Sequence, residues 1–377
     1  MRVCVIGQGY VGTSIGLAAH KSGHQVVGIE TDSQKIQTLH HLGYPVSDSY
    51  EQARNSEIVI IAVPTPLDVN RLPDISFIES ACQSLKKVIS GGTLVINEST
   101  SFPGTVRKII APILGSNLLY ASAPERVDPG NSSWNIRNTP RLVGGLTPEA
   151  ASRAVNFYIT VCDSVQEVSS PEVAEAAKLF ENTFRQVNIA LVNEFAIVAN
   201  ALGISVFETL GAAATKPFGF MKFLPGIGVG GHCIPVDPIY LSSIAEESGI
   251  EAKFIKLANH INKSMTNYVI DRIDKDFGIE GKKIQIAGIS YKPNIADTRE
   301  SPALNLITGL RKKGGLVTWH DNLVEKLHGE SSQPLNPNDL GIICTAHSNI
   351  NYEVWKSSNM NVINLTHEPI CDWYPYL

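Results

Sequence analysis

The stretch that decides the fold is Met1-Arg2-Val3-Cys4-Val5-Ile6-Gly7-Gln8-Gly9-Tyr10-Val11-Gly12. Its first six residues form a short apolar run and read as a buried β-strand. Gly7-Gln8-Gly9-Tyr10-Val11-Gly12 is a Gly-x-Gly-x-x-Gly turn that opens a helix over Gly12–Ser22, ended by Gly23. A second strand, Gln25–Glu30, closes on an acid. Glycines at this spacing allow a tight turn and bring a pyrophosphate close to the backbone at a helix N-terminus. An acid ending the second strand is placed for ribose hydroxyls. The turn alone is a weak signal. Strand, turn, helix and acid in this order predict a dinucleotide site built from Gly7, Gly9, Gly12 and Glu30. Glu30 would repel the extra phosphate of NADP, so the expected cofactor is NAD.

Outward from this unit, further apolar strands read at Glu57–Val63, Thr93–Asn97 and Leu118–Ala121, with helical stretches between them. The alternation predicts a parallel, doubly wound sheet. A long helix starts after Ser170-Pro171 and runs to about Ala201, with Gly203 as its cap. Gly211–Asp237 is rich in Gly and Pro and reads as loop. Strand–helix alternation returns from Lys283–Ile289 through helix Ala303–Lys313 to strands at Leu316–His320, Leu340–Thr345 and Asn361–Leu365. The expected fold class is therefore α/β, with two doubly wound Rossmann-like domains joined by a long central helix. The expected domains are 1–168 for NAD, 169–265 for a central helical region, and 266–377.

Composition narrows the function. The chain has 377 residues, 18% of them charged, with a net charge of -5 and no basic stripe, which argues against nucleic acid. No apolar run is long enough to span a bilayer, and an apolar strand starts at once where a signal peptide would lie, so a cytoplasmic protein is expected. The six cysteines are scattered, with no pair spaced for zinc or a redox dithiol, and no metal is expected. Most sit among aliphatic residues and read as small buried hydrophobes.

Cys233 is the exception. It lies in Gly230-Gly231-His232-Cys233-Ile234-Pro235-Val236-Asp237. A thiolate adds readily to an aldehyde, and the thiohemiacetal can lose a second hydride. A reactive thiol needs nearby cations or oriented N–H groups, which Gly230, Gly231 and His232 are expected to supply. Asp237 is placed to orient or relay protons. An isolated Cys–His pair would more often be an inert buried thiol. Lys178, Asn182 and Arg185 recur at i, i+4 and i+7 on the long helix and share one face. Such stripes are commonly just solvated, but the flanking Ala176, Ala177, Phe180 and Ile189 point to a mostly buried helix, where these groups would hold a phosphate or sugar hydroxyl. Thr65, after the third strand, lies where ligands sit in a doubly wound sheet.

These segments resemble, in order along nearly the whole chain, the UDP-glucose/GDP-mannose dehydrogenase family. The matching stretches are 7–12 (GQGYVG), 63–68 (VPTPLD), 98–105 (ESTSFPGT), 123–130 (APERVDPG), 175–194 (EAAKLFENTFRQVNIALVNE), 225–238 (PGIGVGGHCIPVDP) and 289–303 (ISYKPNIADTRESPA). Residues 123–131 and 216–220 (KPFGF) look like the UDP-N-acetylglucosamine 6-dehydrogenases. Gly231–Pro235 is similar to the wider N-acetyl-hexosamine group. The resemblance implies an NAD domain, a central helix used for a homodimer, and a domain that binds a UDP-sugar. It implies NAD contacts from Tyr10, Val11, Glu30, Lys35, Thr65, Thr100 and Arg299. It implies sugar-nucleotide contacts from Arg126, Val127, Lys178, Asn182, Arg185, Gly230, Tyr291 and Lys292. Cys233 is then the nucleophile, Lys178 and Asn182 stabilise an oxyanion, and Asp237 assists.

Two departures from the family pattern stand out. The chain is short between Leu39 and Glu57, which implies a more open adenosine side, and short again over 324–339. The family's second Glu, four residues after Glu125, is Pro129 here, so Glu125 is left as the local group to activate water. The expected reaction is a four-electron oxidation of the C6 hydroxyl to a uronate. UDP-glucose and UDP-N-acetylmannosamine are the alternative substrates, and a non-catalytic binder of NAD or nucleotide sugar is the alternative of another class.

Overall fold

The structure, a computed structural model, describes residues 1–127, 131 and 133–377. The position of Pro129 therefore lies outside the described residues. The chain divides into two compact units, Met1–Glu181 with Ile239–Glu251, and Asn182–Pro238 with Ala252–Leu377. The helix Pro171–Leu202 begins in the first and ends in the second.

The first unit is built on eight strands: β1 (Arg2–Ile6), β2 (Gln25–Ile29), β3 (Val46–Ser47), β4 (Ile58–Ile61), β5 (Leu94–Asn97), β6 (Leu119–Ser122), β7 (Arg141–Gly145) and β8 (Val165–Val168). Their order is β3-β2-β1-β4-β5-β6-β7-β8. Neighbours are parallel except β6 and β7. Because β4 and β5 are buried along their length, they are continuous apolar runs rather than alternating ones. The pleat divides them between two cores: Val3, Val5, Ile60 and Ile96 face one layer, and Cys4, Ile6, Val59 and Val95 the other. The chain runs from β1 outward to β3, then returns to β4 on the other side of β1. The carboxyl ends of β1 and β4 thus form the switch point where a doubly wound sheet binds its ligand.

The short segment after β2 is filled, not empty. Leu39, Leu42 and Tyr44 join the core, and Tyr44 donates to Gln8 Oε1 at 2.9 Å beneath the turn.

In the second unit, β9 (Lys283–Ala287), β10 (Leu316–His320), β13 (Leu340–Ile343) and β14 (Asn361–Asn364) form an all-parallel sheet in the order β10-β9-β13-β14. A small hairpin of β11 (Lys326–Leu327) and β12 (Glu330–Ser331) occupies the short 324–339 segment. Helix Lys253–Phe277 and helix Pro302–Lys312 pack together beside this sheet, burying Val269, Ile270, Leu306 and Leu310.

Candidate active site

The Gly-rich turn leaves β1 at Gly7, whose φ is +86°. A Cβ on Gly7 would stand 2.5 Å from the Ala62 carbonyl oxygen, and one on Gly12 only 1.8 Å from the Gly7 carbonyl oxygen. Both must be glycine for the turn to close. Gly9 differs, because nothing lies within 4 Å of its Cβ position. It is the N-cap of helix Tyr10–Lys21, with no side-chain cap, so the helix end is kept open for an anion. Tyr10 is half exposed beside it and Val11 half-buried.

Glu30 follows β2 directly. Its carboxylate accepts from the N–H groups of Gln8 (3.1 Å) and Thr31 (2.9 Å) and from Lys35 Nζ (2.7 Å). Burial pushes its pKa up, but the Lys35 ammonium and the backbone donors outweigh burial and hold it below the usual carboxylate range. Thr65 lies half-buried in the loop after β4, where Tyr240 donates to the Pro66 carbonyl at 3.1 Å. These residues fit NAD: an open, uncapped helix N-terminus for a pyrophosphate and an ionised acid for ribose hydroxyls.

The loops after β5 and β6 carry the next predicted residues. Thr100 is half-buried behind Glu98. Glu125, the residue expected to activate water, is held through both carboxylate oxygens. Its Oε2 takes a 2.6 Å hydrogen bond from Arg141 Nη2, and its Oε1 accepts from the N–H groups of Arg126 (2.6 Å) and Val127 (2.7 Å). Burial raises its pKa, yet Arg141 more than offsets this and leaves it depressed. A buried carboxylate so committed is a poor base for water. Arg126 is likewise engaged, with Glu181 (2.6 Å) and the Pro140 carbonyl (2.8 Å). Lys178, on the long helix, is buried.

The second unit holds Cys233 in a turn whose carbonyl accepts from Val236 N (3.0 Å) and Asp237 N (2.8 Å), one turn ahead of helix Asp237–Glu247. Asp237 is buried and its Oδ2 accepts from Asn182 Nδ2 at 2.5 Å, a contact the sequence reading did not foresee between two residues it had each singled out. Arg185, on the same helix, is exposed. Gly230 and Gly231 lie against Tyr291: a Cβ on either would come within 2.8 Å of its side chain. The Gly231 N–H is spent on the Arg299 carbonyl at 3.0 Å and does not serve the thiol. Arg299 forks onto Asp297. That hydrogen bond is the main cause of its raised pKa, and Cys233 adds a smaller contribution, so guanidinium and thiol are electrostatic neighbours. Burial pushes the Cys4 and Cys82 thiols up to about 12, the state of inert core cysteines. Cys233 is only half-buried.

Lys292, half-buried, sits in the loop after β9, and that loop is pinned from below. Asp321 Oδ2 accepts from Ile289 N (2.8 Å) and from His347 Nε2 (3.1 Å), while His347 Nδ1 accepts from Asn294 N (2.8 Å). The His347 ring thus bridges Asp321 and the Asn294 N–H through its two nitrogens. At the carboxyl ends of β9, β13 and β14 a cavity of about 450 Å³ opens, lined by Gly228, Gly230, Tyr291, Thr345 and Thr366 among others. Asn193 shapes its loop from the helix, accepting from Gly226 N (2.8 Å) and donating to Asn262 (2.9 Å).

Sequence profiles decide the lineage. The NAD-binding, central and UDP-binding domains of one family match residues 1–49 with 44–162, 172–264 and 285–374. The chain belongs to the UDP-glucose/GDP-mannose dehydrogenase family. A UDP-N-acetyl-D-mannosamine dehydrogenase of Pyrococcus horikoshii is 33% identical over 390 aligned residues, covering 95% of this chain and 92% of that protein. A UDP-N-acetyl-D-glucosamine 6-dehydrogenase of Pseudomonas aeruginosa is 30% identical over 388, covering 92% and 91%. A solved structure of a UDP-D-ManNAc dehydrogenase from Pyrococcus horikoshii superposes with a TM-score of 0.87 at 31% identity, covering 99% of this chain and 98% of that one.

This UDP-glucose/GDP-mannose dehydrogenase is therefore an NAD-dependent oxidoreductase acting on nucleotide sugars. Among the described residues no helix is long and apolar enough to cross a membrane. Sequence reasoning missed Arg141, Asp321 and His347, which hold the loops that carry the site. No local pattern marked Arg141, because β7 carries an arginine and two glycines rather than an apolar run.

Proposed function

We propose that this dehydrogenase oxidises the C6 hydroxyl of a UDP-N-acetyl-hexosamine to the uronate, prefers UDP-N-acetylglucosamine, and uses Cys233 as its covalent nucleophile. The observation that carries the reading is the Cys233 turn: a half-buried thiol with Arg299 as an electrostatic neighbour and the buried Asp237–Asn182 pair one turn on. NAD held by the Gly7–Gly12 turn, Glu30, Lys35, Thr65 and Thr100 would supply the oxidising power: one NAD would accept the first hydride, and a second NAD, exchanged for the NADH formed, would accept the other, one proton being released at each stage. Between the stages, Cys233 Sγ adds to the C6 aldehyde carbon to form a thiohemiacetal. After the second stage C6 is a thioester to Sγ. Water attacks that carbon, the C–S bond breaks, the thiol is restored, and the carboxylate leaves with release of a proton. Lys178 and Asn182 donate to the oxyanion, each such donor being worth roughly 3 kcal/mol. With Glu125 committed to Arg141, Asp237 takes over the water.

The cavity beside Tyr291 and Gly230 suits the nucleotide, with Lys292, Arg185, Arg126 and Val127 assigned to the phosphates and sugar. The 216–220 and 231–235 signatures support the N-acetyl-hexosamine, whose amide would leave partners unpaired if glucose bound instead. The Pyrococcus relative favours UDP-N-acetylmannosamine as the second reading. A homodimer is supported by the long helix, which exposes Val173, Phe180, Phe184, Leu191, Val198 and Leu202 at heptad-like spacing. We place the enzyme in the cytoplasm, where its six cysteines, none of them joined in a disulfide, stay reduced. The test is a panel of UDP-sugars scored for NADH yield and product mass. Fastest oxidation of UDP-N-acetylglucosamine, with two NADH per uronate, is expected. Faster turnover of UDP-N-acetylmannosamine or UDP-glucose overturns the sugar assignment.

A further inference from the structure

A buried charge cluster lies within the first unit, at the carboxyl ends of the neighbouring strands β5 and β6. Its centre is Arg141, which heads β7 and is 2% exposed. One arm of the guanidinium reaches Glu125 Oε2 at 2.6 Å. The other, Nη1, stands 3.5 Å from Glu98 Oε2 and donates to the carbonyls of Ala123 (3.3 Å) and Pro124 (3.4 Å). Tyr158 donates to Glu98 Oε1 at 2.5 Å, and its ring centroid lies 5.1 Å from the guanidinium carbon.

Each carboxylate belongs to a different loop. Glu125 Oε1 gathers the N–H groups of Arg126 and Val127. Glu98 opens the loop of Ser99 and Thr100, and its buried Oε2 has no hydrogen-bond partner among the described residues; its neighbour is the guanidinium. Taking one cation and two carboxylates out of water costs about as much as their attraction returns, so stability alone does not account for the cluster. A planar fork does what an apolar side chain cannot: it fixes the directions of two carboxylates at once.

We propose that Arg141 is a positioning residue which, through Glu98 and Glu125, holds the Thr100 loop and the Arg126–Val127 loop in one fixed relation, so that cofactor-side and sugar-side contacts form together. This rests on the reading above that Thr100 serves NAD and that Arg126 and Val127 serve the UDP-sugar.

The test is Arg141→Lys, which keeps a buried cation but loses the fork. Calorimetric Kd values for NAD and for UDP-N-acetylglucosamine are measured beside kcat and both KM values. Both ligands should bind about 10-fold more weakly or worse, since small misplacements of binding groups carry penalties of that order. An arginine serving stability alone would lower the Tm and leave both Kd values of the folded enzyme unchanged, which overturns the proposal. If Arg141→Lys does not fold, Glu125→Gln and Glu98→Gln each weaken one arm. Glu125→Gln should weaken chiefly the sugar nucleotide, and Glu98→Gln chiefly NAD. Equal effects on both ligands, or none, overturn it. The two claims fail separately: no turnover of any UDP-sugar by the unsubstituted enzyme sinks the assigned reaction, whereas unchanged Kd values in the variants sink the role of Arg141.

Discussion

Replacing Gly9 by alanine should separate cofactor binding from folding, because of the three turn glycines it alone has room for a side chain. Its φ of -74° and ψ of -169° suit alanine, and nothing lies within 4 Å of the new methyl group. Losing glycine's freedom in the unfolded chain stabilises by about 0.4–1 kcal/mol. Alanine is a worse N-cap than glycine by a similar amount, roughly 0.5–1 kcal/mol. The two offset each other, so the Tm should move by no more than a few degrees. The methyl group, however, stands where the pyrophosphate must approach the helix N-terminus. A loss of about 1.4 kcal/mol or more in NAD affinity, a tenfold or larger rise in Kd, is expected. Gly12→Ala is the contrast: its Cβ would lie 1.8 Å from the Gly7 carbonyl oxygen, and the fold itself should suffer. The assay is thermal melting beside NAD titration for both variants. An unchanged NAD affinity in Gly9→Ala, or a collapse of its Tm, would refute this reasoning.

Three further outcomes follow from named contacts. Glu30→Gln removes the carboxylate that Lys35 engages at 2.7 Å, so the preference for NAD over NADP should narrow by about 10-fold or more, judged by the ratio of kcat/KM values, and an unchanged ratio counts against the role of Glu30. Burial pushes Glu98 up to about 7 and Glu175 up to about 8, above their unfolded value of 4.5. The stability tied to a raised carboxyl is whole below the unfolded pKa and is lost as pH rises through the folded pKa, so the Tm should decline from about pH 5 to pH 8, and Glu175→Gln should flatten that decline. Leu191→Asp, on the exposed stripe of the long helix, should shift the mass measured by light scattering from dimer to monomer; an unchanged mass removes that face from the interface.

Much of the fold was legible because it rests on local signals. Gly7, Gly12 and Glu30 carry the first βαβ unit in their spacing, and the buried strands β4 and β5 announce themselves as apolar runs. The edge was not legible. β7 carries an arginine and two glycines, and β8 is largely exposed, so neither has an apolar pattern, and only pairing along the sheet makes them strands. Helix Lys253–Phe277 was overlooked for a similar reason: its polar residues hide a narrow buried stripe through Ala258, Met265, Val269 and Ile273. The long helix was found, but Phe180 is 65% exposed rather than buried, since it lies on the helix's exposed apolar stripe. In the site, Asn182 and Asp237 were each identified from sequence, yet their hydrogen bond was not, because 55 residues separate them. The hydrogen bond from Arg141 to Glu125 was illegible for the same reason, because Arg141 lies on a later strand.

The central claim is that Cys233 is the covalent nucleophile, and the direct measurement is uronate yield in Cys233→Ala with ligand binding read in the same preparation. NAD and UDP-N-acetylglucosamine should still bind, because Gly7–Gly12, Glu30, Lys178 and Lys292 are untouched, while uronate should be nearly absent for want of a thiol to trap the aldehyde. Near-normal uronate yield from Cys233→Ala would contradict the account and remove Cys233 from the mechanism.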